Sequence, residues 1–145
     1  MIIGMSHKLM FLLLSMMMAS SSIACTINVL DINFGAYDVF SATPLDTTGT
    51  IDVSCPIRSS VDITFSTGAG SYAARYLQQG TTRLNYNLYR NAARSQILGN
   101  GTLGTRILTA NNIRNRSFTI YGRIPARQNV RAGTYTDTII VTLTF

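Results

Sequence analysis

The stretch Asp137–Phe145, DTIIVTLTF, is the most strand-like in the sequence and also its last. Side chains of an extended backbone alternate between two faces. Ile139, Val141, Leu143 and Phe145 therefore share one face, and Ile140, Thr142 and Thr144 the other. β-branched and aromatic residues in this alternation predict a strand buried on one side. Chain ends usually gather polar, poorly ordered residues. A bare apolar strand in this place calls for something to cover it.

Working back along the chain, the same alternation recurs between turn signals. CTINV sets Cys25, Ile27 and Val29 against Thr26 and Asn28. The phase then slips, so that Leu30, Ile32 and Phe34 carry the apolar face until Gly35. A slip of one residue predicts a β-bulge or a strand that changes sheets. SATPLDTTG reads as a loop, TIDVSC (50–55) as a strand closed by Pro56, and VDITFS (61–66) as the next strand. TGAGSYAARYLQQGTTR is a polar, glycine-bearing connection with no sustained helical period. LNYNLYRN (84–91) alternates again, LGNGTLGT is a turn, and SFTIYGRIP (117–125) buries Phe118, Ile120 and Ile124. Short strands punctuated by Gly and Pro, without an internal repeat, predict an all-β antiparallel sandwich.

The first residues lie outside that pattern. Lys8 precedes the apolar run LMFLLLSMMM (9–18), and small residues follow at Ser22-Ile23-Ala24. This is the layout of a secretory signal. The run is about half the ~20 residues a membrane-spanning helix needs. Residues 1–24 are thus expected to be a cleaved leader and residues 25–145 one domain, with no membrane span left after cleavage. All six methionines, the single lysine and the single histidine fall within the leader. The remainder carries eleven arginines and six aspartates, a net charge of 11 − 6 = +5, and no Lys, Glu, His, Met or Trp. The arginines are scattered between Arg58 and Arg131 without a basic run. They read as a solvated surface rather than a nucleic-acid face.

Cys25 and Cys55 are the two cysteines of the chain. In an exported protein an even count predicts a disulfide. The alternative is acylation of Cys25 directly after the cleavage site, but Ser22 stands where lipoprotein signals carry leucine, and Cys55 would lose its partner.

The domain offers no credible active site: paired carboxylates are possible in principle among its six aspartates, but none are close neighbours in sequence. Without His or Glu there is no Ser-His-Asp or Cys-His arrangement. Zinc ligands are absent or committed. GNGTLG opens no helix and is a turn rather than a phosphate loop. Tyr86, Tyr89 and Tyr121 could form a ligand platform, although strand tyrosines more often pack with a hydrated tip. The expectation is a non-enzymatic protein with no catalytic residue, metal or cofactor.

PLDTTGTIDVSC, LNYNLYRNAARSQILGNG, FTIYGRIPARQNVRAGTYTDTIIVTLTF and the pair Cys25 and Cys55 together resemble the spore coat protein U domain. That family includes subunits of archaic chaperone–usher pili, and the resemblance covers essentially all of residues 25–145. It implies an immunoglobulin-like sandwich missing its last strand and completed by a donated one. The lender would be a periplasmic pilus chaperone and then, after an outer-membrane usher, another pilus subunit. Ile139, Val141, Leu143 and Phe145 would line the chaperone and donor-strand groove, with the Phe145 carboxylate docked on the chaperone. The chain would travel to the periplasm and then to the cell surface, in a fimbria serving adhesion or biofilm formation. Polymerising pilins carry a donor segment of about ten to fifteen residues before the first cysteine. Cleavage after Ala24 leaves none here, which suits a terminal or tip subunit. The competing expectation is a self-complete secreted or surface-coat protein of the same fold.

Overall fold

The computed structural model describes residues 23–145, so the leader expected over residues 1–24 lies outside them except at its last two positions. Among the described residues there is no helix, and six strands form. They are β1 (Thr26–Val29), β2 (Leu45–Phe65), β3 (Arg75–Gln79), β4 (Thr82–Tyr89), β5 (Leu108–Ile124) and β6 (Val141–Thr144). Every pairing between them is antiparallel. The order is β1-β2-β5-β4-β3, with β6 also on β2. The fold is an all-β, immunoglobulin-like architecture made from one curled sheet.

Strands β2 and β5 organise it, pairing from Leu45↔Ile124 to Ile63↔Leu108. Along β2, Ile51, Val53 and Cys55 in one half and Val61, Ile63 and Phe65 in the other are all buried. They join Leu84, Tyr86 and Leu88 of β4 and Phe118, Ile120 and Ile124 of β5 in a single core cluster. The expected layers are thus continuous, because the same long strands pass through both.

Three local expectations need correcting. First, the strand does not end at Pro56. The proline has no N–H to offer a ladder, and it falls where the β2–β5 register lapses between Ser54 and Ser59. Opposite a second lapse, between Ser59 and Val61, Asn112 adopts φ 55°, a left-handed conformation that Asn tolerates better than most residues. Arg58 Nη1 donates to the Asn112 carbonyl at 2.9 Å. The result is a bulge stitched by a side chain, which bends the sheet without breaking it.

Second, the loop read over SATPLDTTG stops at Pro44. Leu45 onward belongs to β2, and the polar run Asp46–Thr50 pairs with Arg123–Thr119. Third, the connection before β4 contains strand β3, which pairs from Arg75↔Tyr86 to Gln79↔Thr82. Gly80, at φ 56°, makes the tight turn between them.

The glycines of the central strands have a separate job. A Cβ on Gly49 would stand 2.5 Å from Ile32 Cγ1, and one on Gly122 would stand 2.8 Å from Phe34 Cζ. These two bare positions let the segment after β1 lie against the inner face of the sheet. Ile32 and Phe34 pack there half-buried, as the shifted alternation predicts, whereas Leu30 is exposed. Cys25 and Cys55 are bonded, with Cα atoms 4.2 Å apart. They continue the register Thr26↔Ser54 and tie β1 to the middle of β2.

Candidate functional site

The core is open along one side. A groove of about 980 Å³ runs between two stretches of irregular backbone, residues 29–40 on one wall and residues 130–141 on the other. Its floor is the core itself: Phe65, Leu77, Leu84, Tyr86, Leu88, Ile120 and Ile124.

The first wall is held by polar contacts to the sheet. Leu30 N–H donates to the Thr50 carbonyl at 3.2 Å, and Thr47 Oγ1 donates to the Asn33 carbonyl at 3.1 Å. Tyr37 places its hydroxyl between Pro125 O at 2.8 Å and Gln128 N at 2.9 Å. The second wall is anchored on its other side. Thr136 exchanges two backbone hydrogen bonds with Gln78, and Ser66 N–H donates to the Ile140 carbonyl at 2.9 Å.

These bonds determine which edge of β6 is occupied. In an antiparallel pair, residues alternate between facing the partner with both backbone groups and facing away. Ser66–Ile140 is a bonded pair, so Thr142 and Thr144, opposite Thr64 and Asp62, also bond to β2. Ile139, Val141 and Leu143 then turn their N–H and C=O groups outward. Among the described residues β6 pairs with β2 alone. An exposed ladder edge beside an apolar trough is the geometry that accepts an added strand.

Tyr86 spans the floor between the walls. Its ring meets Phe34 edge-on at 5.8 Å between centroids, and its hydroxyl donates to Asp137 Oδ2 at 2.6 Å. The other oxygen, Asp137 Oδ1, accepts from Ala69 N at 2.9 Å and from Thr138 N at 2.8 Å. Room for this carboxylate comes from Gly68, whose missing Cβ would collide with Asp137 Oδ2 and Ile139 Cδ1. Burial, reinforced by the bond to Asp137, pushes the Tyr86 phenol well above its ordinary pKa, so it stays protonated and donates.

Behind the floor lies Arg75, with no exposed surface. Its Nη1 donates to Asn87 Oδ1 at 2.7 Å, and Nη2 donates to the carbonyls of Ser66 at 2.7 Å and Leu98 at 2.8 Å. Its guanidinium also lies 5.3 Å from the Tyr72 ring centroid. Burial pulls its pKa below the usual arginine value. The planar fork joins the loop before β3, β4 and the 98–106 turn, a task suited to arginine's fixed donor geometry.

Of the residues singled out in the sequence, Ile139 and Val141 line the groove. Leu143 is half-buried against the core farther along β6, and Phe145 is exposed. Tyr86 is buried with its tip on a carboxylate rather than hydrated, while Tyr89 and Tyr121 pair across β4 and β5. Sequence reasoning missed Arg75 and the Tyr86–Asp137 contact. Neither has a local signal, because each joins elements far apart in the chain.

Residues 11–142 match the Spore Coat Protein U domain. The chain belongs to that family. Among curated relatives, Protein U of Myxococcus xanthus is 38% identical over 128 residues, covering 79% of this chain and 71% of the relative. Among solved structures, the domain resembles a chain of the chaperone–tip adhesion subunit pre-assembly complex from the archaic chaperone-usher Csu pili of Acinetobacter baumannii. That match has a TM-score of 0.59 at 20% identity, and covers 84% of this chain but 40% of the other. It establishes a shared fold.

The groove offers an apolar floor, a backbone edge, the phenols of Tyr37, Tyr86 and Tyr135, and the carboxylates of Asp31, Asp38 and Asp137. No group of His, Cys, Asp and Glu that could hold a metal occurs among the described residues, and none of their helices is long and apolar enough to cross a membrane.

Proposed function

We propose that this chain is a structural subunit of an archaic chaperone–usher pilus, in which the groove receives a strand from another protein. The observation that carries the reading is the outward edge of Ile139, Val141 and Leu143, which adjoins the 980 Å³ groove over the core. Family membership and the fold shared with a chain of a pilus pre-assembly complex support it. A periplasmic chaperone fills the groove first, an outer-membrane usher exchanges it, and a second subunit takes its place. The fibre serves adhesion or biofilm formation at the cell surface. Cleavage after Ala24 makes Cys25 the first residue, so the subunit accepts a strand without offering one and stands at a fibre end.

Co-expression with its chaperone tests this. The chain alone in the periplasm should be degraded or aggregated, because an open trough and edge invite mispairing. With the chaperone it should be recovered as a soluble one-to-one complex, and after release it should not homopolymerise. A stable monomer without any chaperone would favour the self-complete coat protein. Long homopolymers would overturn the fibre-end position.

A further inference from the structure

Charge is distributed unevenly around the groove. Across residues 25–145 arginines outnumber aspartates eleven to six, yet the groove lining holds Asp31, Asp38 and Asp137 against Arg131 alone. Half of the six aspartates thus line the groove of a basic protein. The two ion pairs among the described residues, Arg94–Asp46 and Arg123–Asp46, use a different aspartate. Arg131 Nη2 donates to the Gln79 carbonyl at 3.3 Å, and Arg131 is in neither of those ion pairs.

The three acids are also differently held. Asp31 and Asp38 are exposed on the first wall, and Asp38 Oδ1 caps its own turn by accepting from Phe40 N at 2.9 Å. Asp137 is half-buried on the second wall and fixed from three directions by Tyr86, Ala69 and Thr138. A fixed carboxylate at one position of an apolar trough discriminates where mobile ones cannot. It rejects an apolar or anionic side chain placed opposite it and accepts a donor.

Resting on the strand-acceptor reading above, we propose that the groove selects a basic amphipathic strand, and that Asp137 sets its register. The occupant has apolar side chains at alternate positions toward Leu84, Leu88, Ile120 and Ile124. It presents Lys or Arg, not Asp or Glu, at the positions beside the walls. One of these donors lies against the Asp137 carboxylate. A slip by two residues would keep the apolar face seated but carry that donor away from Asp137, so the polar contact fixes what the apolar floor leaves degenerate.

The test uses the full-length mature chain released from its chaperone, and synthetic fifteen-residue peptides with a constant alternating apolar face. The other face carries Ser, Lys or Glu, and binding is followed by fluorescence polarisation. Exposed charge pairs each contribute about two- to fivefold. Three of them predict that the Lys peptide binds on the order of tenfold or more tighter than the Glu peptide at low salt. The gap should shrink at about 1 M salt, where the Debye length is roughly 3 Å. Moving a single Lys along a Ser background should reveal one preferred position, and Asp137→Asn should abolish that preference. Should Asp137→Asn fail to fold, the exposed Asp31→Asn/Asp38→Asn double variant must still reduce the Lys-over-Glu ratio. Binding of all three peptides with equal affinity overturns the selection and leaves the strand-acceptor reading standing. Failure of every peptide to bind overturns both.

Discussion

Replacing Arg75 measures what the buried fork contributes. In Arg75→Met the volume is retained but the donors vanish, leaving the Ser66 and Leu98 carbonyls, now bonded at 2.7 and 2.8 Å, without that partner. Asn87 Oδ1 still accepts from Leu88 N at 2.9 Å and is not orphaned. Two stranded buried carbonyls cost about 1–3 kcal/mol each, so ~2–6 kcal/mol together. Against this, the guanidinium no longer has to be dehydrated, which returns a few kcal/mol. The expected net loss is about 2–4 kcal/mol. Arg75→Lys should be no better than Met, since a point charge cannot reach both carbonyls and Asn87 from one stem yet still has to be buried. The assay is a urea titration of the disulfide-intact domain by near-UV tyrosine circular dichroism, with a strand tethered in the groove to prevent aggregation. Met within about 1 kcal/mol of wild type, or Lys restoring full stability, would refute the fork argument.

Other expectations are simpler to state. Replacing Cys25 and Cys55 by Ser should lower stability by about 3–4 kcal/mol in the loop-entropy picture, given the 30-residue separation; mass analysis of the wild type should find no free thiol. Val141→Asp puts a charge into the groove lining and should abolish chaperone capture, whereas Thr142→Asp, on the exposed face, should leave it nearly intact; equal losses in a pull-down would contradict the alternation. Gly122→Ala brings a methyl against Phe34 and should lower stability by about 1–3 kcal/mol through overpacking, an effect that Phe34→Leu in the same chain should partly reverse. The bond from Arg123 holds Asp46 below the usual carboxylate pKa. Its contribution is therefore complete above the unfolded value of about 3.9 and lost as pH falls through the lower folded value. Asp46→Asn should flatten that limb of the stability–pH curve in acid titrations, and an unchanged limb would discount the pair.

The strands with one buried face could be read directly, because alternation survives in any context: Ile51, Val53 and Cys55, Val61 to Phe65, Leu84 to Leu88 and Phe118 to Ile124 all occupy the predicted side. Strand β3 escaped since its buried residue is an arginine, and hydrophobic patterning cannot register a guanidinium that donates to distant carbonyls. The continuity of β2 was hidden by Pro56, which normally ends a strand and here sits at a lapse in pairing that only the three-dimensional partner reveals. Polar Asp46–Thr50 resembled a loop because β5, not burial, holds it in place. As for the groove, its apolar second wall was visible in DTIIVTLTF. Its opposite wall was not, because Ile32 and Phe34 reach the sheet by seating on two glycines more than ten residues away.

The bond between Cys25 and Cys55 also decides how the domain would carry a mechanical load. In a pull applied between Cys25 and Phe145, force crosses the sulfurs directly to the middle of β2, bypassing the backbone of residues 26–54. That covalently shielded loop contains β1 and the whole of residues 29–40. While the bond is intact, a pulled chain cannot draw length from it. After reduction, those residues would release roughly 100 Å of slack at ~3.3–3.6 Å each. One side of the strand-binding trough is thus taken out of the line of force. Stretching would have to unzip β6 from β2 before it could reach the wall that Ile32 and Phe34 hold down.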